Sequence, residues 1–315
     1  MTAVALHRRD LAWYLPAELP NEFAALDRPV EGGLPVGAAG KLGALELSLA
    51  RRGATTRVEH HYQRAPLHVY RPIHLDEHLP GMAFVFVQQF GDGYVDGDRC
   101  RIDIDCGPDA AVHVTTQAAT NVYRAEQNFA AQLVNLHTGP GTVLEYLPDA
   151  VVPFSGSRFF QRTCLTADPD STVILGEIVL PGRVARGELH AYQLYRAETL
   201  ALKPDGTLLF ADMLRLCPGE GDGLRSLGLL GGQDVVATLF VVTRQTGADE
   251  LVALLRDALA GEDLLAGVSE LPNGCGVSAR LLGSTSKTVR AALTKAWNSV
   301  RLTLLDAPAP DLRKG

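Results

Sequence analysis

Little in this chain of 315 residues supports a covalent or metal-built framework. Its five cysteines, Cys100, Cys106, Cys164, Cys217 and Cys275, are odd in number, widely spaced and without a C-x-x-C pair. That pattern excludes a disulfide scaffold and a zinc ribbon. Long apolar runs are missing too. The best window, Leu227 to Val242, is broken by Gln233 and Asp234, short of a membrane-spanning helix. The opening MTAVALHRRDLAWYLP has no apolar segment long enough for a secretion signal, because His7, Arg8, Arg9 and Asp10 interrupt it. Positive charge is in deficit: 29 Lys and Arg stand against 36 Asp and Glu, a net charge of −7, which opposes binding to a phosphate backbone. The expectation is a cytoplasmic protein that binds neither nucleic acid nor membrane.

Catalytic signatures are equally scarce. There is no G-x-S-x-G, and Phe154-Ser155-Gly156-Ser157 lacks the layout of a nucleophile elbow. Neither a phosphate-binding G-x-x-x-x-G-K-[ST] loop nor H-E-x-x-H occurs. His60 and His61 are adjacent in a strand-like stretch, where neighbours point to opposite faces and cannot easily share one metal. The run from Gly91 to Asp98 has acids at 92, 96 and 98, the wrong spacing for a calcium loop. It reads instead as a glycine-rich turn in which Asp98 holds backbone amides.

What is present is strand after strand. Hydrophobic residues make up 46% of the chain and charged residues 21%, enough apolar content for a folded core. Residues 1–38 are rich in Pro and Gly and read as an irregular arm, and the main β domain runs over 39–305. Arg101 to Cys106 alternates charged and apolar residues, the period of a half-buried strand, while Ala83–Val87 and Val235–Thr243 read as buried strands. Pro108, Pro140, Pro169 and Pro204 each open a turn followed by a strand, at spacings of 32, 29 and 35 residues. A period near 30 suggests stacked coils, as in a β-solenoid; an irregular sandwich is the alternative. Helical periodicity appears late, over 248–260 and 287–300, with Leu251, Leu254, Leu255 and Leu259 on one stripe and Val289, Leu293, Trp297 and Val300 on the other. Residues 306–315 read as a flexible tail. The predicted fold is mainly β, solenoid-like or layered, with two C-terminal helices.

Several ordered blocks then make a resemblance visible. They include Arg52–Arg57, Ala65–Pro72, Gly91–Arg99, Thr115–Arg124, Leu144–Asp149, Pro153-Phe154, Gly176–Ile178 and Pro181–Glu188. The series, from about Gly40 to Arg301, resembles the urease accessory proteins of the UreD (also UreH) type. The resemblance implies an all-β body with two C-terminal helices and no reaction of its own. It implies UreF-like and UreG-like partners (the second a GTPase), apo-urease as client, assembly into dimers through those partners, and nickel in transit with no tightly bound cofactor. Two departures stand out: the family's Gly-Gly pair is replaced by Gly91-Asp92 and Asp96-Gly97, and its usual Pro-Arg and closing Trp are missing beyond Leu305.

A nickel conduit needs ligands that release their cargo, which favours scattered carboxylates over a His/Cys cage. Glu177 sits within an apolar strand, where an ionised carboxylate must be paired or hydrated. The two readings are an ion pair with Arg183 or Arg186, and a place on a hydrated path. Glu145 and Asp149 are the parallel candidates one repeat earlier. Thr115 and Thr116 can present hydroxyls inward, and Asp98, Tyr123, Arg124, Arg183, Arg186 and Glu188 are candidates for structural or partner-facing roles. A rival expectation is a carbohydrate-active β-solenoid enzyme using Asp98, Glu145 and Glu177, whose carboxylates would have to lie roughly 5–10 Å apart across a cleft. A β-rich metal- or ligand-binding module is the third.

Overall fold

A computed structural model describes residues 7–28, 39–220, 223–312 and 314. In chain order the strands are β1 (Leu42–Arg52), β2 (Thr55–Arg64), β3 (Leu67–Val69), β4 (Ala83–Gln89), β5 (Arg99–Cys106) and β6 (Ala111–Thr116). Then come β7 (Thr120–Val122), β8 (Ala130–Thr138), β9 (Val143–Tyr146), β10 (Val151–Pro153), β11 (Arg158–Thr166) and β12 (Thr172–Val179). The last are β13 (Leu194–Leu202), β14 (Leu208–Leu216), β15 (Val235–Val242), β16 (Leu265–Glu270) and β17 (Gly276–Gly283). Three helices are α1 (Asn21–Ala24), α2 (Ala248–Leu259) and α3 (Ser286–Leu305).

The strands form two sheets. One runs β14-β13-β11-β8-β5-β1-β2; the other runs β16-β17-β15-β12-β9-β6-β4-β3, with β7 and β10 attached beside β12. The proline repeat is the coil that builds them. Pro108, Pro140 and Pro169 lie in the turns that carry β5 into β6, β8 into β9 and β11 into β12, each crossing from the first sheet to the second. Successive copies therefore stack in parallel: β5 on β8, β8 on β11, and β6 on β9, β9 on β12. Pro204 differs. It turns β13 back onto β14 as an antiparallel hairpin that ends the stack within one sheet. Both the solenoid-like stacking and the two C-terminal helices match what the sequence pattern predicts.

Side-chain alternation divides the interior into layers. Ile102, Ile104, Val134 and Leu136 of one sheet meet Val112, Leu144, Val173 and Leu175 of the other in the central core. The opposite face of the second sheet, carrying Ile174, Ile178, Leu239 and Val241, is covered by Leu251, Leu255, Val289, Trp297 and Val300 from α2 and α3. Helix α3 starts at an N-cap made by Thr285, whose hydroxyl accepts from the Thr288 amide, and it runs five residues past the sequence-predicted end.

The outer face of the first sheet is covered by the N-terminal segment. Although the sequence there shows no period, a 3-10 turn at Leu11–Tyr14 and α1 are pinned by buried Trp13, Tyr14 and Phe23. Phe23 packs edge-on against Phe129 at 4.9 Å, and Arg101 stacks over Trp13 at 4.2 Å. Isolated aromatic anchors hold these residues, and periodicity analysis cannot see single anchors. Part of the arm, residues 29–38, lies outside the described residues. At the other end, residues 306–312 lie against α3, with Ala307 fully buried and Leu312 packed on the helical layer. Among the described residues no helix is long and apolar enough to cross a membrane.

Candidate functional site

The two expected carboxylates of the repeat face opposite sides of one sheet. On β9, Leu144 and Tyr146 point into the central core, so Glu145 between them points outward under α3. On β12, Leu175 and Val179 point into the central core and Glu177 shares their face. Asp98 belongs to neither place; it precedes β5 and accepts from the amides of Lys41 at 2.7 Å and Val95 at 3.0 Å. Burial pushes the Asp98 carboxyl up despite these bonds. Asp98, Glu145 and Glu177 therefore do not line one cleft.

Glu145 is the centre of a charge cluster with no exposed side chain. Arg301 reaches from α3 to both its oxygens, at 3.0 and 3.1 Å, and the indole N–H of Trp297 donates to Oε1 at 3.1 Å. The ring of His113, its neighbour on β6, donates from Nδ1 to Oε2 at 2.7 Å. The other terminal nitrogen of Arg301 binds Asp76. All of these residues are buried. With donors on both oxygens, Glu145 acts as a clamp between sheet and helix.

Glu177 has a different setting. It is partly reachable by solvent, and the Tyr195 hydroxyl on β13, in the facing sheet, donates to its Oε1 at 2.6 Å. The expected ion pair with Arg183 or Arg186 does not form, because Arg183 binds Glu188 and Arg186 is exposed in a short 3-10 turn. The loop after Val179 carries both arginines out past the strand end, beyond reach of an inward-facing side chain. Beside Glu177 in register stand Thr238 on β15 and, one strand on, Arg280 on β17. Arg280 bridges the sheets by pairing with Asp212 of β14 at 2.7 Å. Burial pushes the Glu177 carboxyl up, with the Tyr195 hydroxyl and Arg280 pulling the other way.

The inter-sheet space has further polar lining. Gln132 of β8 and Gln161 of β11 are buried and adjacent in register. Gln132 also borders a crevice of about 380 Å³ that includes Gln89 and Tyr94. Among the described residues Gln89 Nε2 is buried without a protein partner, and the Tyr94 hydroxyl is buried beside the Cys100 thiol; ordered water relieves such a setting.

Asp149 lies elsewhere, at a groove of about 1000 Å³ between α3 and the ends of β6 and β9. Its Oδ1 binds Arg290 at 2.5 Å and its Oδ2 binds Lys314 at 3.1 Å. Burial works to raise this carboxyl, but the two cations hold it below the usual range. Thr116 Oγ1 accepts from the Asp149 amide at 2.8 Å, and the Thr115 hydroxyl donates to the Leu147 carbonyl at 2.6 Å. Glu145, Asp149 and Glu177 thus occupy three separate environments, and among the described residues no set of three or more His, Cys, Asp and Glu side chains is placed to hold one metal ion.

The other candidates gather at one end of the coils, where the turns stack. Tyr123 packs in a T-shaped contact with Phe154 at 4.9 Å, and Arg183 lies over the Phe154 ring at 4.0 Å. Glu188 receives Arg183 Nε at 2.8 Å and the Ser155 amide at 3.1 Å. Arg124 is exposed and lies over Gly156. In the block that departs from the Gly-Gly pattern, Gly91 and Asp92 have φ of 90° and 61°. Aspartate is among the few side chains that tolerate this region, so the turn keeps its shape without the second glycine.

Sequence reasoning missed Asp96 and Arg301. Asp96 accepts from the amides of Glu126, Gln127 and Asn128 at 3.0–3.1 Å, joining one coil turn to the next. The Gly91–Asp98 spacing hinted at such a role but singled out Asp98. Arg301 carried a faint signal, a cation one position past Val300 on an apolar stripe.

The class so defined is a coil-stacked two-sheet β protein with a helical layer on one side and a polar seam between its sheets. The UreD urease accessory protein family model matches residues 41–314, nearly the whole described body. The chain is 44% identical over 282 residues to urease accessory protein UreD 2 of Streptomyces griseus subsp. griseus, covering 89% of this chain and 96% of that one. It is 38% identical over 279 residues to UreD of Haloarcula marismortui (89% and 92%), and 35% identical over 284 residues to UreD of Cenarchaeum symbiosum (90% and 99%). This protein belongs to the UreD urease accessory family.

Proposed function

We propose that the chain is a non-catalytic scaffold of urease maturation. In this reading it docks apo-urease together with UreF-like and UreG-like partners in the cytoplasm, and nickel passes through it as cargo. The observation that carries the cargo role is the setting of Glu177: a partly exposed carboxylate between two sheets that accepts a hydrogen bond from a tyrosine hydroxyl. Such a group can meet a divalent ion and release it, because among the described residues no set of three or more His, Cys, Asp and Glu side chains forms a cage around it. The buried glutamines, and Gln89 Nε2 without a partner among the described residues, support a hydrated interior along the same seam. Glu145 and Asp149 are already bound by arginine and lysine, and they fit structural work better than cargo handling.

The test is complementation of a strain lacking its own UreD-type protein, with co-purification of a UreF-like partner and nickel analysis of the urease. Glu177→Gln should lower the nickel content and activity of urease while the partner still co-purifies. Full nickel loading with this variant would remove Glu177 from the path. Full loading in cells with no UreD-type protein at all would remove the proposed function.

A further inference from the structure

Across the second sheet, Gly267 of β16, Arg280 of β17, Thr238 of β15 and Glu177 of β12 stand side by side in register. The strand neighbours decide which way this row points. Val236 and Phe240, flanking Thr238 at alternate positions, belong to the central core, whereas Ala279 and Leu281, on either side of Arg280, belong to the helical layer. Alternation therefore turns the row toward the inter-sheet space. A second polar row faces it from the first sheet: Asp212 of β14, Thr199 of β13 and Thr163 of β11 are adjacent in register, and both threonines are buried.

Both rows begin at a sheet edge, since β14 ends one sheet and β16 the other. The outermost place of the longer row is a glycine, where among the described residues an added Cβ would meet nothing within 4 Å. The side chains of Arg280 and Asp212 are each 35% exposed, and Glu177 behind them is partly exposed too. The polar seam thus has a side mouth at this edge, and Arg280 spans it. Its Nη2 donates to Asp212 Oδ2 at 2.7 Å. Its charge also reaches inward: burial raises the Glu177 carboxyl, the Tyr195 hydroxyl and Arg280 oppose that, and Asp212 adds to it.

Two carboxylates facing one gap attract a divalent ion and hold it, because oxygen donors suit such ions and the attraction grows away from bulk water. A guanidinium in that gap supplies positive charge without offering a ligand, and its strand keeps it from leaving. We propose that Arg280 is the resident counter-cation of this mouth, shared between Asp212 and Glu177, and that it keeps a passing divalent ion from being retained between them. The role rests on the reading of Glu177 as a cargo-handling group. It makes Arg280 a positioning residue that sets how firmly the ion is held.

The test is calorimetric titration of the purified full chain with nickel chloride, with circular dichroism and thermal melting to show that each variant is folded. Arg280→Gln should bind nickel about tenfold or more tightly than wild type. Adding Glu177→Gln or Asp212→Asn should abolish that gain, and Arg280→Lys, which restores a cation, should bind as weakly as wild type. An arginine with a merely structural role would shift the melting temperature without creating nickel affinity that depends on both acids. Should Arg280→Gln fail to fold, Asp212→Asn carries the test in the complementation strain. Arg280, released to Glu177, should then lower the nickel content of urease about threefold or more while the UreF-like partner still co-purifies. Equal affinity of Arg280→Gln and wild type, a gain that survives loss of either acid, a lysine variant as tight as the glutamine one, or unchanged urease loading with Asp212→Asn would each overturn the proposal. Full urease loading with Glu177→Gln alone removes Glu177 from the path but leaves the titration readable, so the two failures are told apart.

Discussion

Arg301 donates to both carboxylate oxygens of Glu145 from a single terminal nitrogen, at 3.0 and 3.1 Å, across 156 positions of sequence. That contact ties the last turns of α3 to the second sheet, and Asp76 extends it to the loop before β4. Removing one partner from a buried ion pair leaves an unpaired charge, which costs about 3–5 kcal/mol. Arg301→Met should therefore lower the unfolding free energy by about that amount in chemical denaturation. Replacing Arg301 and Glu145 together by Met and Gln should cost less than Arg301→Met alone, because one orphaned carboxylate, that of Asp76, remains in place of two. A double variant as weak as the sum of the singles would show that the two residues act independently.

Glu177 makes the opposite kind of prediction. Its carboxyl is raised in the fold above the ordinary value of 4.5 by burial. The native state then holds more protons than the unfolded state as pH climbs from that ordinary value, so stability falls through this window and levels off above the native-state pKa. Glu177→Gln should flatten that decline in thermal melts taken across the acidic-to-neutral range. Tyr195→Phe removes the hydroxyl donor and should extend the decline to higher pH. Identical pH profiles for wild type and Glu177→Gln would contradict the raised carboxyl.

Asp96 accepts three successive amides from the neighbouring coil turn. Asp96→Ala should destabilise the chain by about 1.5–3 kcal/mol, the range for losing hydrogen bonds to a charged group. Hydrogen exchange should accelerate at Glu126, Gln127 and Asn128 first. Exchange that rises evenly over the molecule would mean the carboxylate has no local role.

The Arg183–Glu188 pair, stacked on Phe154, is solvent-facing, and exposed pairs contribute little to stability. Glu188→Ala should leave the melting temperature nearly unchanged. On the proposed scaffold reading it weakens co-purification with a maturation partner. A large loss of stability with unchanged co-purification would make it a fold element.

Local pattern made the strands and helices legible where burial repeats at short range. Arg101 to Cys106 alternates as predicted, with Ile102 and Ile104 inside, and Val235–Val242 is buried throughout. The proline spacing revealed the coil because each crossing uses the same turn. What stayed hidden depends on distant partners. Arg301 lies on α3 as a charge that Glu145 and Asp76 neutralise, and Glu145 took its role from a helix more than 140 residues away. Glu177 was recognisable as a polar residue in an apolar strand, but its tyrosine partner sits in the facing sheet, and no spacing along the chain encodes that contact.

Because Pro108, Pro140 and Pro169 execute the same crossing, the body has a natural unit of growth. Each unit delivers one strand to the first sheet and two to the second and returns the chain to its starting side, so whole units can be gained or lost while the pairing edges on either side still match. A half unit would send the next strand to the wrong sheet. Lineages that lengthen or shorten this scaffold should therefore do so in steps of about thirty residues, the spacing of these prolines, leaving the polar seam longer or shorter but uninterrupted.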